Sequence, residues 1–224
     1  MTKRFLTFII VAFGWLQSSP PLKTNEIENF IIARYLGDTS SVGTMLSEDF
    51  KYFHVPYIGL GFKSRYIDGH LLVTSIVNDS LQTTISIGDR IHEHNGKPVD
   101  SLGINGNGPE GEEQKLIITK KGDSTFSEVN ISLLEHQFIE DRGSFLSSIM
   151  DYNNEWYDFD VYIKDLIIKK NKVFIQYRWE GSKEQLGDNY SFYAIEILTL
   201  NKKRDIVTQI DGLWSEKQFR DQFK

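Results

Sequence analysis

The chain has 224 residues, which is enough for one large domain or two small ones. Its hydrophobic content of 40% is typical of a globular protein and argues against disorder. The formal net charge is −6 and no long block of lysine and arginine occurs, so a nucleic-acid partner is excluded as a main role. There is no cysteine, which excludes disulfides, a thiol nucleophile and a lipid-modified cysteine anchor.

The first twenty residues have the layout of a secretory signal peptide. Lys3 and Arg4 precede an apolar run from Phe5 to Leu16, and small polar residues follow. That run is too short to cross a bilayer comfortably. The pattern predicts a signal peptide over residues 1–20 and a periplasmic or secreted protein; the alternative is an amphipathic or buried N-terminal helix.

Two helices and a strand are predicted next. The stretch "NEIENFIIARYLGD" is helical, with a capping box from Asn25 and Glu28, a face shared by Ile27 and Arg34, and a stop at Gly37. A shorter helix is predicted near residues 42–46. The alternating, aromatic stretch "DFKYFHVP" predicts a strand that ends at a proline.

The middle of the chain predicts a small sheet module. "GHLLVTSIV" is a strand, "NDSLQTTISIGDRI" a short helix and turn, and "IHEHNGKPV" a hairpin, because Asn95-Gly96 supplies the positive φ of a two-residue turn. Two further strands surround the turn at residues 121–123.

The last third returns to long elements. "EDRGSFLSSIMDYNNEW" predicts a helix, and "SEKQFRDQF" predicts a short closing helix. Between them, alternation predicts four strands, over residues 161–168, 173–180, 190–200 and 206–214.

Three motifs of the middle region stand in a specific order. They are Gly59-Leu60-Gly61-Phe62, Gly88-Asp89 and Asn95-Gly96-Lys97, followed by "GPEGEEQ". With this order, residues 58–136 resemble a PDZ domain of the kind attached to bacterial carboxyl-terminal processing proteases. The resemblance implies that the backbone of residues 59–62 binds a peptide carboxylate, and that the peptide adds a strand beside the one that follows.

The same region departs from the PDZ pattern in two places. Between Leu102 and Gly108 the chain offers only "GINGN", where a typical PDZ domain has the helix that forms the other wall of its peptide groove. His94 stands where the family usually has an apolar residue. The alternative is therefore a PDZ fold kept as a structural or docking piece with no peptide ligand.

The flanking segments are predicted to form one domain together. Residues 21–57 and 138–224 resemble the SnoaL-like branch of the nuclear transport factor 2-like fold, through "NFIIARYLGD" and "FDVYIKDLIIKKNKVFIQYRWEGS". The resemblance implies an α+β fold, a cone-shaped curved antiparallel sheet with helices, interrupted by the PDZ-like module. A module whose ends lie close together costs little to insert in a surface loop.

The SnoaL-like resemblance also implies a pocket in the cone. Relatives bind or convert small hydrophobic molecules there, and the enzymes among them move protons with a pocket carboxylate. The candidate pocket residues are His54, Tyr177, Trp179, Glu196 and Asp211. The alternative is that Tyr177 and Trp179 are core residues and that Glu196 is solvated or paired with Arg178.

The sequence favours an exported, non-enzymatic adaptor that recognises a protein C-terminus or strand through Gly59, Leu60, Gly61 and Phe62. The alternative is a small-molecule-binding protein, or an isomerase-like or cyclase-like enzyme, that uses the cone pocket. No catalytic residue, cofactor or metal site is predicted, since His92 and His94 lack a third ligand. Dimerisation through the sheet is common in cone folds, so a homodimer is a further expectation.

Overall fold

The computed structural model of this chain describes residues 20–104, 106–214 and 222. It has a mixed α+β fold with few helices and a large curved sheet. The predicted signal peptide, apart from residue 20, lies outside the described residues, as does nearly all of the predicted closing helix, so export and that helix stay predictions. No helix in the described part of the chain is both long and apolar enough to cross a membrane.

The larger sheet has six strands, and three helices accompany it. The helices are α1 (Thr24–Tyr35), α2 (Thr39–Thr44) and α3 (Arg142–Asn153). In spatial order the strands are β10 (Ile139–Asp141), β1 (Leu46–Phe53), β14 (Val207–Leu213), β13 (Asn189–Leu200), β12 (Lys172–Ser182) and β11 (Asp158–Lys169). All neighbours are antiparallel except β1 and β14, which are parallel.

Alternation along the strands explains the core of this sheet. In β12 every second residue is buried, including Val173, Ile175, Tyr177 and Trp179. These side chains pack against the apolar face of α1 and against Phe145 of α3. The sequence therefore places one sheet face against the helices, because side chains of a strand alternate between faces.

A second sheet with its own core lies between β1 and β10 in the chain. In spatial order its strands are β3 (Phe62–Ile67), β4 (His70–Ile76), β5 (Arg90–His94), β7 (Glu113–Thr119) and β8 (Phe126–Ser132), and the short β6 (Lys97–Pro98) pairs with β5. Its buried residues, such as Leu71, Ile91 and Leu116, form a cluster separate from that of the larger sheet.

A two-stranded ladder joins the ends of this module. β2 (Tyr57–Gly59) pairs with β9 (Leu134–His136), and Tyr57 lies opposite His136. The chain thus enters and leaves the module at one place. That geometry is what insertion into a surface loop requires.

Several predicted elements need correction. The cap of α1 is a single hydrogen bond, from the Lys23 backbone N–H to Glu26 Oε2 at 2.7 Å, two residues before the predicted pair, because the helix already begins at Thr24. Residues 77–89 contain turns and no helix, and the helix predicted from residue 140 begins only after the short strand β10. The two-residue hairpin is confirmed, with φ of 51° at Asn95 and 75° at Gly96.

Asp89 of the Gly-Asp motif organises the turns of the second sheet. Its side chain is almost fully buried and accepts hydrogen bonds from the backbone N–H of Ser86 (2.9 Å) and Lys121 (3.1 Å) and from Lys120 Nζ (2.8 Å). Burial acts to raise the pKa of Asp89, but these hydrogen bonds outweigh burial and lower it below its usual value.

We expect Asp89→Asn to destabilise the protein at pH 7 by about 1–3 kcal/mol, because an amide replaces a charge-assisted acceptor. A depressed carboxyl pKa contributes stability above the unfolded value of about 3.9, and that contribution is lost as pH falls through the folded value. The difference in free energy of unfolding between Asp89→Asn and the parent should therefore become smaller below about pH 4. Urea unfolding at several pH values measures it, with the exposed Asp79→Asn as control; a pH-independent gap would contradict this account.

Candidate functional site

A buried ion pair lies at the centre of the cone. Arg34 of α1 donates to both oxygens of Glu196 of β13, with Nη1–Oε2 at 2.6 Å and Nη2–Oε1 at 3.1 Å. Glu196 is 0% exposed and Arg34 is 8% exposed. Burial acts to lower the pKa of Arg34, but the facing carboxylate raises it well above its usual value, so the guanidinium stays charged.

Three tyrosines complete the hydrogen bonding of this pair. Tyr177 donates to Glu196 Oε1 at 3.0 Å, and Tyr52 reaches the same oxygen at 3.5 Å. The hydroxyls of Tyr35 and Tyr177 are 2.8 Å apart. Since Tyr177 gives its single proton to Glu196, Tyr35 is the donor to Tyr177. Burial, followed by the charge of Glu196, raises the pKa of Tyr177 well above its usual value, which keeps the hydroxyl neutral.

Aromatic rings fill the cone beside this network. Trp179 stacks on Phe192, with centroids 5.3 Å apart, and contacts the edge of Trp156 at 4.5 Å. Tyr152 lies at 6.0 Å on another side of Trp179. The cone interior is therefore a packed aromatic core around a neutralised charge pair.

Three of the five predicted pocket residues meet in this core, namely Tyr177, Trp179 and Glu196. All three are at most 1% exposed. The alternative pairing of Glu196 with Arg178 is wrong, because the two side chains point to opposite faces of the sheet. Arg178 instead pairs with Glu180 at 2.6 Å.

The other two predicted residues lie elsewhere. His54 packs on Tyr52 and bonds Glu140 through Nε2 at 2.6 Å, while Ser148 donates to the second oxygen of Glu140 at 2.8 Å. Asp211 lies on the opposite sheet face from the core, where it accepts two hydrogen bonds from Gln209. Neither side chain has a hydrogen bond to the Arg34–Glu196 network.

A cavity of about 370 Å³ lies between the C-terminal half of α1 and residues 156–161 at the start of β11. We call it the mouth cavity. Ile32, Leu36, Trp156, Phe159 and Val161 are among its lining residues. Leu36 is 55% exposed at its edge. Asp158 and Asp160 line it as well, so the cavity combines apolar and polar groups. An open cavity of this size is suited to part of a small molecule that carries an apolar group.

The glycine loop at residues 59–62 presents free backbone donors. The carbonyl of Leu60 accepts from Gln82 Nε2 at 2.8 Å, and that of Gly61 accepts from the Val77 amide at 2.9 Å. In a trans peptide the N–H points opposite to the C=O, so the amides of Gly61 and Phe62 point away from residues 77–82. Among the described residues, neither the Leu60 nor the Gly61 amide has a hydrogen-bond acceptor.

The strand beside this loop is a sheet edge. Among the described strands β3 pairs with β4 alone, and residues 63–66 are exposed. No helix occurs over the described residues between β6 and β7. A Cβ placed on Gly106 would lie 3.2 Å from Leu60, which shows that this connecting loop covers the apolar side of the glycine loop.

Arg34 and Glu140 are the site residues that sequence analysis missed. Arg34 had a signal: it shares the predicted apolar face of α1, and a charge on such a face needs a buried partner. That partner is 162 residues away in the chain, so no local pattern indicates it. Glu140 lies in a strand of three residues, too short for a pattern to predict.

Comparison with known proteins gives fold neighbours only. No family model and no curated protein sequence matches this chain. Solved structures similar to it include AusH from Aspergillus nidulans, at 12% identity, a TM-score of 0.43 and 88% coverage of each chain. A hypothetical protein with a ketosteroid isomerase-like fold from Catenulispora acidiphila has 8% identity and a TM-score of 0.44, with 90% of this chain and 93% of that chain covered.

A third neighbour is IdmH, a putative polyketide cyclase from Streptomyces antibioticus. It has 9% identity and a TM-score of 0.44, with 89% of this chain and 96% of that chain covered. The neighbours are thus SnoaL-like proteins of the ketosteroid isomerase fold.

We expect Arg34→Met to lower the free energy of unfolding by about 3–5 kcal/mol, because it leaves Glu196 buried without a counter-charge. The matched control is Arg178→Met, whose partly exposed pair with Glu180 should contribute about 1 kcal/mol or less. Urea unfolding followed by tryptophan fluorescence measures both. A second Glu196→Met change should recover part of the loss, and equal losses in the two single variants would contradict this assignment.

Proposed function

We propose that this chain binds a small apolar molecule in the mouth cavity and is not an enzyme of the cone interior. The mouth cavity carries the proposal, since it combines aromatic and aliphatic lining residues with an open side. Leu36 and Tyr157 are 55% and 61% exposed at this cavity, and exposed apolar groups beside a cavity are typical of a ligand site.

The state of Glu196 argues against proton transfer in the cone. Both of its oxygens accept hydrogen bonds, and its neighbour Arg34 stays positively charged. A general base needs a free lone pair within reach of the substrate proton. Glu196 is fully buried and paired with Arg34, so a substrate proton has no access to it and we assign it a structural role.

Leu36→Asp tests the proposal, because it puts a charge at an exposed position of the mouth cavity without opening the core. The probe is 1-naphthol, a neutral aromatic, measured by isothermal titration calorimetry. We expect binding to the parent and a loss of about tenfold or more in the variant, since burying a charge against an apolar ligand is unfavourable.

The matched control is Leu186→Asp, which introduces the same change at a fully exposed leucine in the connection between β12 and β13. It should bind 1-naphthol as the parent does. Equal affinity in all three proteins would show that the probe binds outside the mouth cavity. An absence of binding to the parent would contradict the proposal for neutral aromatic ligands.

A second candidate function is strand recognition by the PDZ-like module. The free Gly61 amide, the outward Phe62 amide and the unpaired edge of β3 support it. In this binding mode an extended peptide would form a new strand beside β3, and its terminal carboxylate would lie at the glycine loop. Lys63 and Arg65 lie on that exposed strand, which favours acidic partners.

Gly61→Ala and Gly69→Ala form a matched pair for this second function. Both glycines have positive φ, 73° and 84°, so both changes introduce a comparable backbone strain. Only at Gly61 does the new Cβ collide, at 2.4 Å from His136 Cε1, whereas nothing lies within 4 Å of it at Gly69. We expect peptides with a free C-terminus to bind the parent and Gly69→Ala more tightly than Gly61→Ala.

Fluorescence anisotropy with a library of free C-terminal peptides, and amidated versions as controls, measures this effect. Equal binding of free and amidated peptides would contradict a carboxylate site. If no peptide binds at all, the glycine loop is a structural element of the module and the mouth cavity remains as the ligand site.

A further inference from the structure

His136 lies on β9, the strand that pairs with β2, and its ring packs beside Gly61 of the glycine loop. A Cβ built on Gly61 would come within 2.4 Å of Cε1, 2.6 Å of Nε2 and 3.0 Å of Nδ1 of this imidazole. The edge of the ring that carries both nitrogens therefore faces Gly61. Tyr57 covers another side of the ring, with centroids 5.9 Å apart.

The imidazole is buried, and one of its two nitrogens has no hydrogen-bond partner among the described residues. His136 is 2% exposed, and its Nδ1 has no hydrogen-bond partner among the described residues. A buried polar atom without a partner costs about 1–3 kcal/mol. Such an atom beside Gly61, whose own amide has no acceptor among the described residues, indicates a place where a ligand supplies a missing partner.

The geometry points to His136 as the third hydrogen-bond donor of a carboxylate site whose other two donors are the amides of Gly61 and Phe62. This inference rests on the second candidate function and names its ligand chemistry, the free carboxylate that ends an extended chain. Two backbone donors fix the orientation of the carboxylate, and a protonated imidazole supplies the positive charge that the loop lacks.

The site explains the choice of residue at two positions. At position 61 any side chain would occupy the space of the imidazole, so only glycine lets His136 approach the loop. At position 136 a lysine or arginine would carry a permanent charge into a buried position, whereas a histidine becomes charged only when an anion is present.

Proton uptake should accompany binding. Burial lowers the pKa of His136 in the free protein, and the Gly59 carbonyl partly opposes that shift. The titratable side chain packed against the ring is Tyr57, and residues 59–62 of the loop are neutral. A bound carboxylate favours the imidazolium and raises this pKa. Affinity should thus rise as pH falls through the pKa of the complex and level off below the pKa of the free protein.

The test is an amide and imidazole NMR titration of the ¹⁵N-labelled full chain with N-acetylvaline, and with N-acetylvalinamide as the uncharged control. We expect the Gly61 and Phe62 amides to shift with the acid and not with the amide. In His136→Phe the affinity for the acid near pH 5.5 should fall by about tenfold, the value of a charge-assisted hydrogen bond.

Two further variants make the result decisive. His136→Gln keeps a donor of similar size but does not titrate, so it should bind the acid with a flat pH profile. His70→Phe changes an outlying histidine of the same module and should keep both the affinity and the pH dependence.

The outcomes separate the inference from the function that it rests on. If the acid shifts both amides but His136→Phe and His136→Gln keep the parent's affinity and pH profile, the role of His136 is overturned and the carboxylate site stands. If the acid shifts neither amide at saturating concentration, the carboxylate site and the role of His136 are both overturned, and the mouth cavity is unaffected.

Discussion

The fold of the larger sheet depends on the ion pair between Arg34 and Glu196. A buried carboxylate in a cone of aromatic rings is unstable unless a counter-charge and further donors surround it. Arg34 arrives from α1 and Tyr177 from β12, while Tyr52 arrives from β1. The pair therefore fixes how the helix lies on the sheet, because any other orientation would leave a charge unpartnered.

This constraint also decides where function can lie. Trp179 and its neighbours fill the cone interior, and Glu196 is buried there in an ion pair, so our proposals place ligand binding at the periphery. The mouth cavity lies between α1 and the start of β11, and the glycine loop lies beside the edge of the second sheet. At both places apolar side chains or backbone groups remain accessible, because they are not buried in either hydrophobic core.

The second sheet contains residues with a clear structural role beside groups on which our binding proposal rests. Asp89 joins two turns through its buried carboxylate, and the missing side chain of Gly61 leaves space for the His136 ring beside the loop. These residues have a packing reason that does not require a ligand. Packing does not explain the amides without acceptors or the His136 nitrogen without a partner. Our functional inference is based on these groups for that reason.

The sequence by itself determined the α+β class, α1, the hairpin at Asn95-Gly96 and the four long strands of the last third, since periodicity and turn residues are local signals. It also indicated that Tyr177 and Trp179 share one strand face. Only the tertiary structure decided that Glu196 pairs with Arg34, that Asp211 lies on the outer face, and that His136 reaches Gly61. These contacts join residues far apart in the chain, and the burial that makes a charge or an imidazole consequential exists only once distant segments have packed together.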